Sequence, residues 1–426
     1  MNFSDCLLHG ATTDVGMRRT NNQDSLAVVL ADSYESWVQR GHLFIIADGM
    51  GAHAAGELAS KLAVDGIPFL FHKYRELPLD EALERSVRET NSEINRRGRA
   101  NLDFHNMGTT CSALVITAQG AFVAHVGDSR VYRLRGDQIQ QLTFDHSLVW
   151  EMRASGQLGS DNGDLEKLVP KNVITRSLGP YPTVQVDVEG PFPVELGDTF
   201  LLCSDGLSGQ VHDDEIGLIL GVLPPSEATR VLADLANLRD GPDNVTVIAA
   251  KVVDPCLTAH VAGKASGVLS SARGNNDPGA HPAIWILSVV AALGAGVLAI
   301  LNYLSAAAVL ALGAICIFVV GLARQFSLGD SQPAVPKHGR GPYTSTQCSA
   351  KAEHVKRFAQ NVQALREAIE GSYNVSWDRF NALCGAASQA QQRSDYASAV
   401  REYCRAISYL MESVRSQGRK DDESVL

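Results

Sequence analysis

No two cysteines of this 426-residue chain lie close together in sequence. The eight (Cys6, Cys111, Cys203, Cys256, Cys316, Cys348, Cys384, Cys404) include no C-x-x-C pair and no zinc-ligand spacing. They read as scattered small apolar residues in a reducing compartment, which excludes a disulfide framework. Basic charge is also short: 37 Lys and Arg face 47 Asp and Glu, a net charge of −10. A protein that lives on phosphate neutralisation is disfavoured, and no nucleic-acid partner is expected. The N-terminus, MNFSDCLLHG, lacks a basic region followed by an apolar run, so no signal peptide is expected. What remains is a globular composition, 45 % hydrophobic, on a chain long enough for two or three domains.

One long run without charge divides the chain. Residues 283–323 carry no charged side chain, and a single membrane span needs about twenty residues. The simplest reading is two transmembrane helices, about 283–301 and 305–323, reversing at Asn302-Tyr303; a buried core helix or a single tilted span is the alternative. Arg324, Lys337 and Arg340 follow the second span while the turn has no cation. A multi-pass membrane protein is therefore expected, with both flanks cytoplasmic and the lipid bilayer as a partner. Residues 255–282 and 324–347 read as linkers rich in small residues, Gly and Pro. Beyond them, 348–418 turns helical. Val355, Phe358, Val362, Leu365 and Ile369 mark one apolar face, and Tyr396 to Val414 repeat the pattern. The stretch SDYASAVREYCRAI resembles one helix of a tetratricopeptide repeat; a plain helical hairpin or coiled coil is equally open. These faces suggest a tail that self-associates or binds a protein partner.

Residues 1–254 are the acidic part, with 35 acids against 21 bases. Strand-like runs dominate: Leu26–Leu30, Leu43–Ala47, Cys111–Thr117, Ala121–Val126, Val131–Leu134, Phe200–Cys203 and Val245–Val252. Helical stretches are expected at about Ala54–Phe71, Leu79–Arg99 and Pro225–Leu238. Tight turns between adjacent strands, with helices inserted in blocks, predict an α+β fold on antiparallel sheets. Four acids sit at the ends of these strands: Asp48 in IIADGMG, Asp128 in AHVGDSR, Asp205 in LLCSDGL and Asp243 in GPDNVTVI. Any one Asp-Gly pair can be an ordinary turn. Four at strand ends supply the oxygen ligands that suit Mg²⁺ or Mn²⁺.

Thr13-Asp14-Val15-Gly16, Arg19 and Asn22-Gln23-Asp24-Ser25 are followed in order by ADGMGAH, MGTT, GDSRVYRLR, LTFDHS, SDGL and DNVTVI. This series, across about residues 5–252, closely resembles the metal-dependent (type 2C, PPM) serine/threonine protein phosphatases in their bacterial form. The resemblance implies two stacked antiparallel β-sheets flanked by helices, an αββα sandwich. It also implies two Mn²⁺ or Mg²⁺ ions with a possible third. Asp48 would bridge the two, with the Gly49 carbonyl on one and Asp205 and Asp243 on the other; Asp128 would help hold the third. Arg19 matches the residue that grips the substrate phosphate, with adjacent Arg18 a competitor that spacing disfavours. Gln23 and Asp24 would support the metal shell from behind.

The implied chemistry is hydrolysis of phosphoserine and phosphothreonine by metal-activated water at a binuclear centre. His53 occupies the place of the family's candidate general acid, or is an exposed histidine at a helix start; His146 reads as structural. Gln23 stands where many eukaryotic members have Glu, and Ala52 replaces a common glycine. The stretch 147–170 corresponds to the family's variable flap. The expected partners are phosphorylated proteins and a Ser/Thr kinase of the same cell. A catalytically silent phosphatase-like module, binding phosphoproteins or scaffolding partners, is the alternative that loss of Asp48, Asp205 or Asp243 would have favoured.

Overall fold

The computed structural model describes residues 3–51, 54–156, 169–170, 173–258, 341–371, 373 and 375–423. In chain order the first strands and helices are β1 (Leu7–Asp14), β2 (Asp24–Val29), α1 (Tyr34–Gln39), β3 (His42–Met50), α2 (Ala55–Lys73) and α3 (Leu79–Ala100). The strands β4 (Gly108–Thr109), β5 (Cys111–Thr117), β6 (Gly120–Val126), β7 (Arg130–Arg135) and β8 (Gln138–Gln141) follow. Then come α4 (Leu148–Ala154), β9 (Asp187–Phe192), β10 (Thr199–Cys203), α5 (Asp205–Ser208), α6 (Asp213–Val222), α7 (Pro225–Leu238) and β11 (Val245–Val252). The C-terminal part supplies β12 (Thr344–Gln347), α8 (Ala352–Ile369), α9 (Trp377–Gln392) and α10 (Tyr396–Glu423).

The strands make two antiparallel sheets. One runs β1-β11-β10-β7-β8-β12; the other runs β2-β3-β5-β6-β9, with β4 paired to β3. Period-2 alternation decides what each strand contributes to which layer. Along β3, Phe44 and Ile46 join the core between the sheets, while Leu43, Ile45 and Ala47 face α2 and α3. Along β10, Phe200 and Leu202 point inward, and Leu201 and Cys203 point to the opposite layer of helices. Fully burying each such side chain is worth about 1.5–3 kcal/mol. The expected sandwich is therefore present. Helix α3 begins on Asp80 and Glu81 and ends on Arg97 and Arg99, charges that match its dipole at both ends.

Four features depart from the sequence reading. Residues 344–347, read as linker, form β12 and pair with β8. Helices α8, α9 and α10 share one apolar cluster with α6 and α7: Val355, Phe358, Val362 and Ile407 are buried together with Ile219 and Val231. The apolar faces that suggested an external partner are thus covered within the chain. Cys6 and Cys256 are not scattered, because β1 and β11 pair with Leu7 opposite Val252; with Asp254, their ligand atoms lie within 4.8 Å of one another. Finally, the expected multi-pass membrane placement, with cytoplasmic flanks, is corrected: no helix among the described residues is long and apolar enough to cross a membrane. The 283–323 stretch behind that expectation lies outside the described residues.

Candidate metal centre

Five acids from distant parts of the chain gather in one place. Asp48 and Gly49 lie inside β3, not at its end, where they pair with Asp24 of β2 and Thr109 of β4. Asp205 opens α5 directly after β10. Asp243 precedes β11, and Asp128 sits in the turn between β6 and β7. Asp24 and Asp128 are buried, whereas Asp48, Asp205 and Asp243 keep part of their surface open.

The electrostatics show that these acids are mutual neighbours. Burial raises the Asp48 carboxyl well above the usual range, and Asp24, Asp205, Asp128 and Asp243 push the same way. Burial takes Asp24 up to about 7 against hydrogen bonds from Thr246 and Ser204, with Asp205 and Asp243 adding to the rise. Asp128 is likewise lifted to about 7 by burial and then by Asp205 and Asp145. Asp205 is raised by burial and by Asp243. Among the described residues, the buried oxygens Asp24 Oδ1, Asp128 Oδ1 and Asp205 Oδ1 accept no hydrogen bond. Buried, unpartnered, mutually repelling carboxylate oxygens are costly unless cations occupy the space between them. An all-oxygen donor set of this kind fits Mn²⁺ or Mg²⁺.

The backbone around the acids is held by hydroxyls and close packing. Thr110 Oγ1 accepts from the Asp48 amide at 2.9 Å, and Thr109 Oγ1 donates to the Asp48 carbonyl at 2.9 Å. Ser204 Oγ donates to Asp24 Oδ2 at 2.8 Å and accepts from the Thr246 amide at 2.9 Å. Two glycines are obligatory for contact reasons. A Cβ on Gly49 would come 2.1 Å from the Gly56 carbonyl oxygen, and one on Gly206 would come 2.0 Å from that of Asn244. The Asp128 turn is gripped by two histidines. The Gly127 amide donates to His146 Nδ1 at 2.9 Å, so His146 Nε2 carries the proton and meets Asp187 Oδ2 at 3.0 Å. Burial pushes His125 down to about 3, keeping it neutral, and its Nε2 lies 2.9 Å from the Gly127 carbonyl. The structural reading of His146 agrees with this arrangement.

Arg19 stands at the rim, half exposed, and donates to Asp243 Oδ2 at 2.7 Å. Arg18 pairs instead with exposed Asp240 at 3.4 Å. The backbone N–H of Gln23 donates to Asn244 Oδ1 at 2.9 Å, tying the segment after Arg19 to the one after Asp243. His53 and Ala52 lie outside the described residues, as do 157–168 and 171–172 of the flap stretch. The structure thus brings together Asp48, Gly49, Asp205, Asp243, Asp128, Asp24, Gln23 and Arg19. Sequence reasoning undervalued Asp24, which is as deep in the cluster as any acid, and missed Thr110, Ser204 and Thr246. The position of Ser204 beside Asp205, and of Thr246 in the DNVTVI run, was the available signal.

Residues 17–238 match the protein phosphatase 2C family. The chain is 36 % identical over 239 residues to the protein phosphatase PhpP of Streptococcus pneumoniae, a match covering 55 % of this chain and 93 % of that protein. It is 36 % identical over 241 residues to the serine/threonine phosphatase stp of Listeria innocua, covering 55 % and 92 %. The crystal structure of the Mycobacterium tuberculosis serine/threonine phosphatase PstP/Ppp superposes with a TM-score of 0.51 at 33 % identity, covering 58 % of this chain and 99 % of that one.

Proposed function

The chain belongs to the protein phosphatase 2C family, and from that membership we propose how its own residues divide the work of hydrolysing phosphoserine and phosphothreonine in proteins. It is a metal-dependent protein serine/threonine phosphatase whose cofactor is Mn²⁺ or Mg²⁺. The observation that carries the assignment is the cluster of five acids, with three oxygens lacking any hydrogen bond, beside the half-exposed guanidinium of Arg19.

Asp48, the Gly49 carbonyl, Asp205 and Asp243 would hold two ions, and Asp128 would contribute to a third. When bound, the ions supply an activated water as nucleophile and positive charge for the phosphate oxygens. Asp24 acts through its Ser204 bond and its place opposite Asp48 to fix the shape of the cage. Arg19 presents a planar fork of donors that two phosphate oxygens fit and a lysine would fit less well. Its bond to Asp243 keeps that fork over the acids. His53 is the proton donor we assign to the departing serine or threonine oxygen. We take residues 1–254 as the catalytic domain and 348–418 as a helical region carried with it. The substrates are phosphoproteins, with a Ser/Thr kinase of the same cell as the opposing enzyme.

The test is hydrolysis of p-nitrophenyl phosphate and of a phosphothreonine peptide by the full chain, with Mn²⁺ or with EDTA, beside Asp205→Asn. Activity that needs metal and collapses in the variant is the expected result. Metal demonstrably bound without turnover would overturn it in favour of a phosphoprotein-binding module.

A further inference from the structure

The last helix reaches the loop that carries Arg19. Asp234 of α7 has no exposed surface, and both of its carboxylate oxygens are met from α10. Ser408 Oγ donates to Oδ2 at 2.6 Å, and Arg415 donates to Oδ1. The same Arg415 nitrogen lies 3.3 Å from Oδ2 of Asp14. Asp14 is the last residue of β1, and its other oxygen accepts from the Gly16 amide at 2.9 Å and from Asn237 Nδ2 at 3.0 Å. One carboxylate therefore folds the start of the Arg19 loop with one oxygen and takes a cation from the C-terminal helix with the other.

From Asp14 the loop runs against the Asp243 segment without slack. Gly16 has φ +81°, and a Cβ there would stand 2.2 Å from the Asp243 carbonyl oxygen. The Met17 amide donates to the Gly241 carbonyl at 2.9 Å, and Asn244 Nδ2 donates to the Val15 carbonyl at 2.8 Å. Arg19 closes the loop on Asp243. A shift of Asp14 would be passed to Arg19 through these few tight contacts. The family match ends at residue 238, so Arg415 is an addition outside the matched stretch.

We propose that Arg415 is a positioning residue for the phosphate-binding loop, so that the docked C-terminal helices set the affinity of the catalytic site for the phosphoryl group. The inference rests on the reading of Arg19 as the residue that grips the substrate phosphate. Arg415 touches neither substrate nor metal ligand; it acts through Asp14. Its loss is distinguishable from general loosening because helix docking has other anchors that do not touch Asp14, among them Arg357 on Asp214 at 2.8 Å.

The experiment uses the full chain with saturating Mn²⁺ and compares Arg415→Ala, Arg415→Lys, Asp14→Asn, Arg357→Ala and Arg19→Ala. KM and kcat for p-nitrophenyl phosphate, the inhibition constant of inorganic phosphate and the melting temperature are measured for each. Arg415→Ala and Asp14→Asn are expected to raise KM and the phosphate inhibition constant about fivefold, the scale of a modest coupling between sites, with kcat within about twofold. Arg415→Lys should recover part of the loss, and the Arg415→Ala/Asp14→Asn double variant should be no worse than either single one. Arg357→Ala should lower the melting temperature alone. If Arg415→Ala fails to fold, Asp14→Asn decides. A fall in melting temperature with KM and phosphate inhibition unchanged overturns the proposal. If Arg19→Ala raises KM but Arg415→Ala and Asp14→Asn do not, only the positioning role fails. If Arg19→Ala itself leaves KM unchanged, the reading of Arg19 fails and the positioning role falls with it.

Discussion

Asp24 stands directly opposite Asp48 in the β2–β3 ladder, and both carboxyls are held above the ordinary range, first by burial and then by the charges of Asp205 and Asp243, with Asp24 adding to the rise at Asp48. Facing like charges weaken a strand pair, so the ladder here is arranged for a cation and not for its own stability. Mn²⁺ should therefore raise the melting temperature of the full chain. Binding at a hundredfold excess over the dissociation constant is worth about 2.7 kcal/mol. Asp24→Asn should melt higher than the wild type in EDTA yet gain less from Mn²⁺, which differential scanning fluorimetry with a Mn²⁺ titration would read. An Asn variant that melts lower in EDTA would show that the hydrogen bond from Ser204 outweighs the repulsion between the acids.

Asp48→Asn and Asp205→Asn each remove one formal charge while keeping size and fold. Turnover of p-nitrophenyl phosphate should fall roughly 10³-fold, the scale of losing a main electrostatic element of a site. Circular dichroism should be unchanged, and Mn²⁺ affinity by calorimetry should drop in parallel.

Gly206→Ala tests the close packing behind Asp205. The added Cβ would meet the Asn244 carbonyl oxygen at 2.0 Å, so α5 must shift with Asp205 at its head. Overpacking of this kind costs about 1–3 kcal/mol. Urea denaturation should show that loss, and Mn²⁺ affinity should fall with it. Gly136→Ala, where nothing lies within 4 Å of the new atom, should leave Mn²⁺ affinity untouched.

His42 is fully buried and its Nδ1 accepts the Ala31 amide at 3.0 Å. Burial, with a smaller contribution from His9, pushes it down from 6.5 to about 4. Its pKa is lower folded than unfolded, so the unfolded chain binds the proton first. Its contribution is complete above about pH 6.5 and is lost as pH falls through 4, on the order of 3 kcal/mol in all. Urea denaturation between pH 7 and 4 should show the decline, and His42→Asn should flatten it.

Phe358 has no exposed surface and packs in the cluster that α8 and α10 share with α6 and α7. Phe358→Ala should cost about 3–5 kcal/mol. If the C-terminal helices are one cooperative unit with the sandwich, catalytic activity and helical signal should be lost at the same denaturant concentration. Two separated transitions would argue against that unity.

Much of this site was legible before any tertiary structure. Asp48, Asp128, Asp205 and Asp243 each sit in a short motif with a glycine or asparagine beside them, and local sequence was enough to associate each with a strand, although it set Asp48 at the end of β3 and the structure has it inside. Val355, Phe358, Val362, Leu365 and Ile369 likewise announced a buried helical face, and all five are buried. Asp24 was harder. It lies two residues after Asn22 in a polar stretch, and only the β2–β3 register turns it toward Asp48.

Residue types and spacing carried the chemistry: carboxylates of the kind that suits hard divalent ions, an arginine of the kind that suits a phosphate, and strands whose alternation assigns a side chain to each layer. Those are properties of residue type and short-range spacing. Tertiary structure alone decided which distant segments meet. Leu7 pairs with Val252, so Cys6 and Cys256 become neighbours. Asp14 and Arg415 stand 3.3 Å apart although most of the chain separates them. The apolar face of the C-terminal helices finds its partner on α6 and α7 of the same molecule. Burial is non-directional, so an amphipathic pattern states that a face must be covered but not by what.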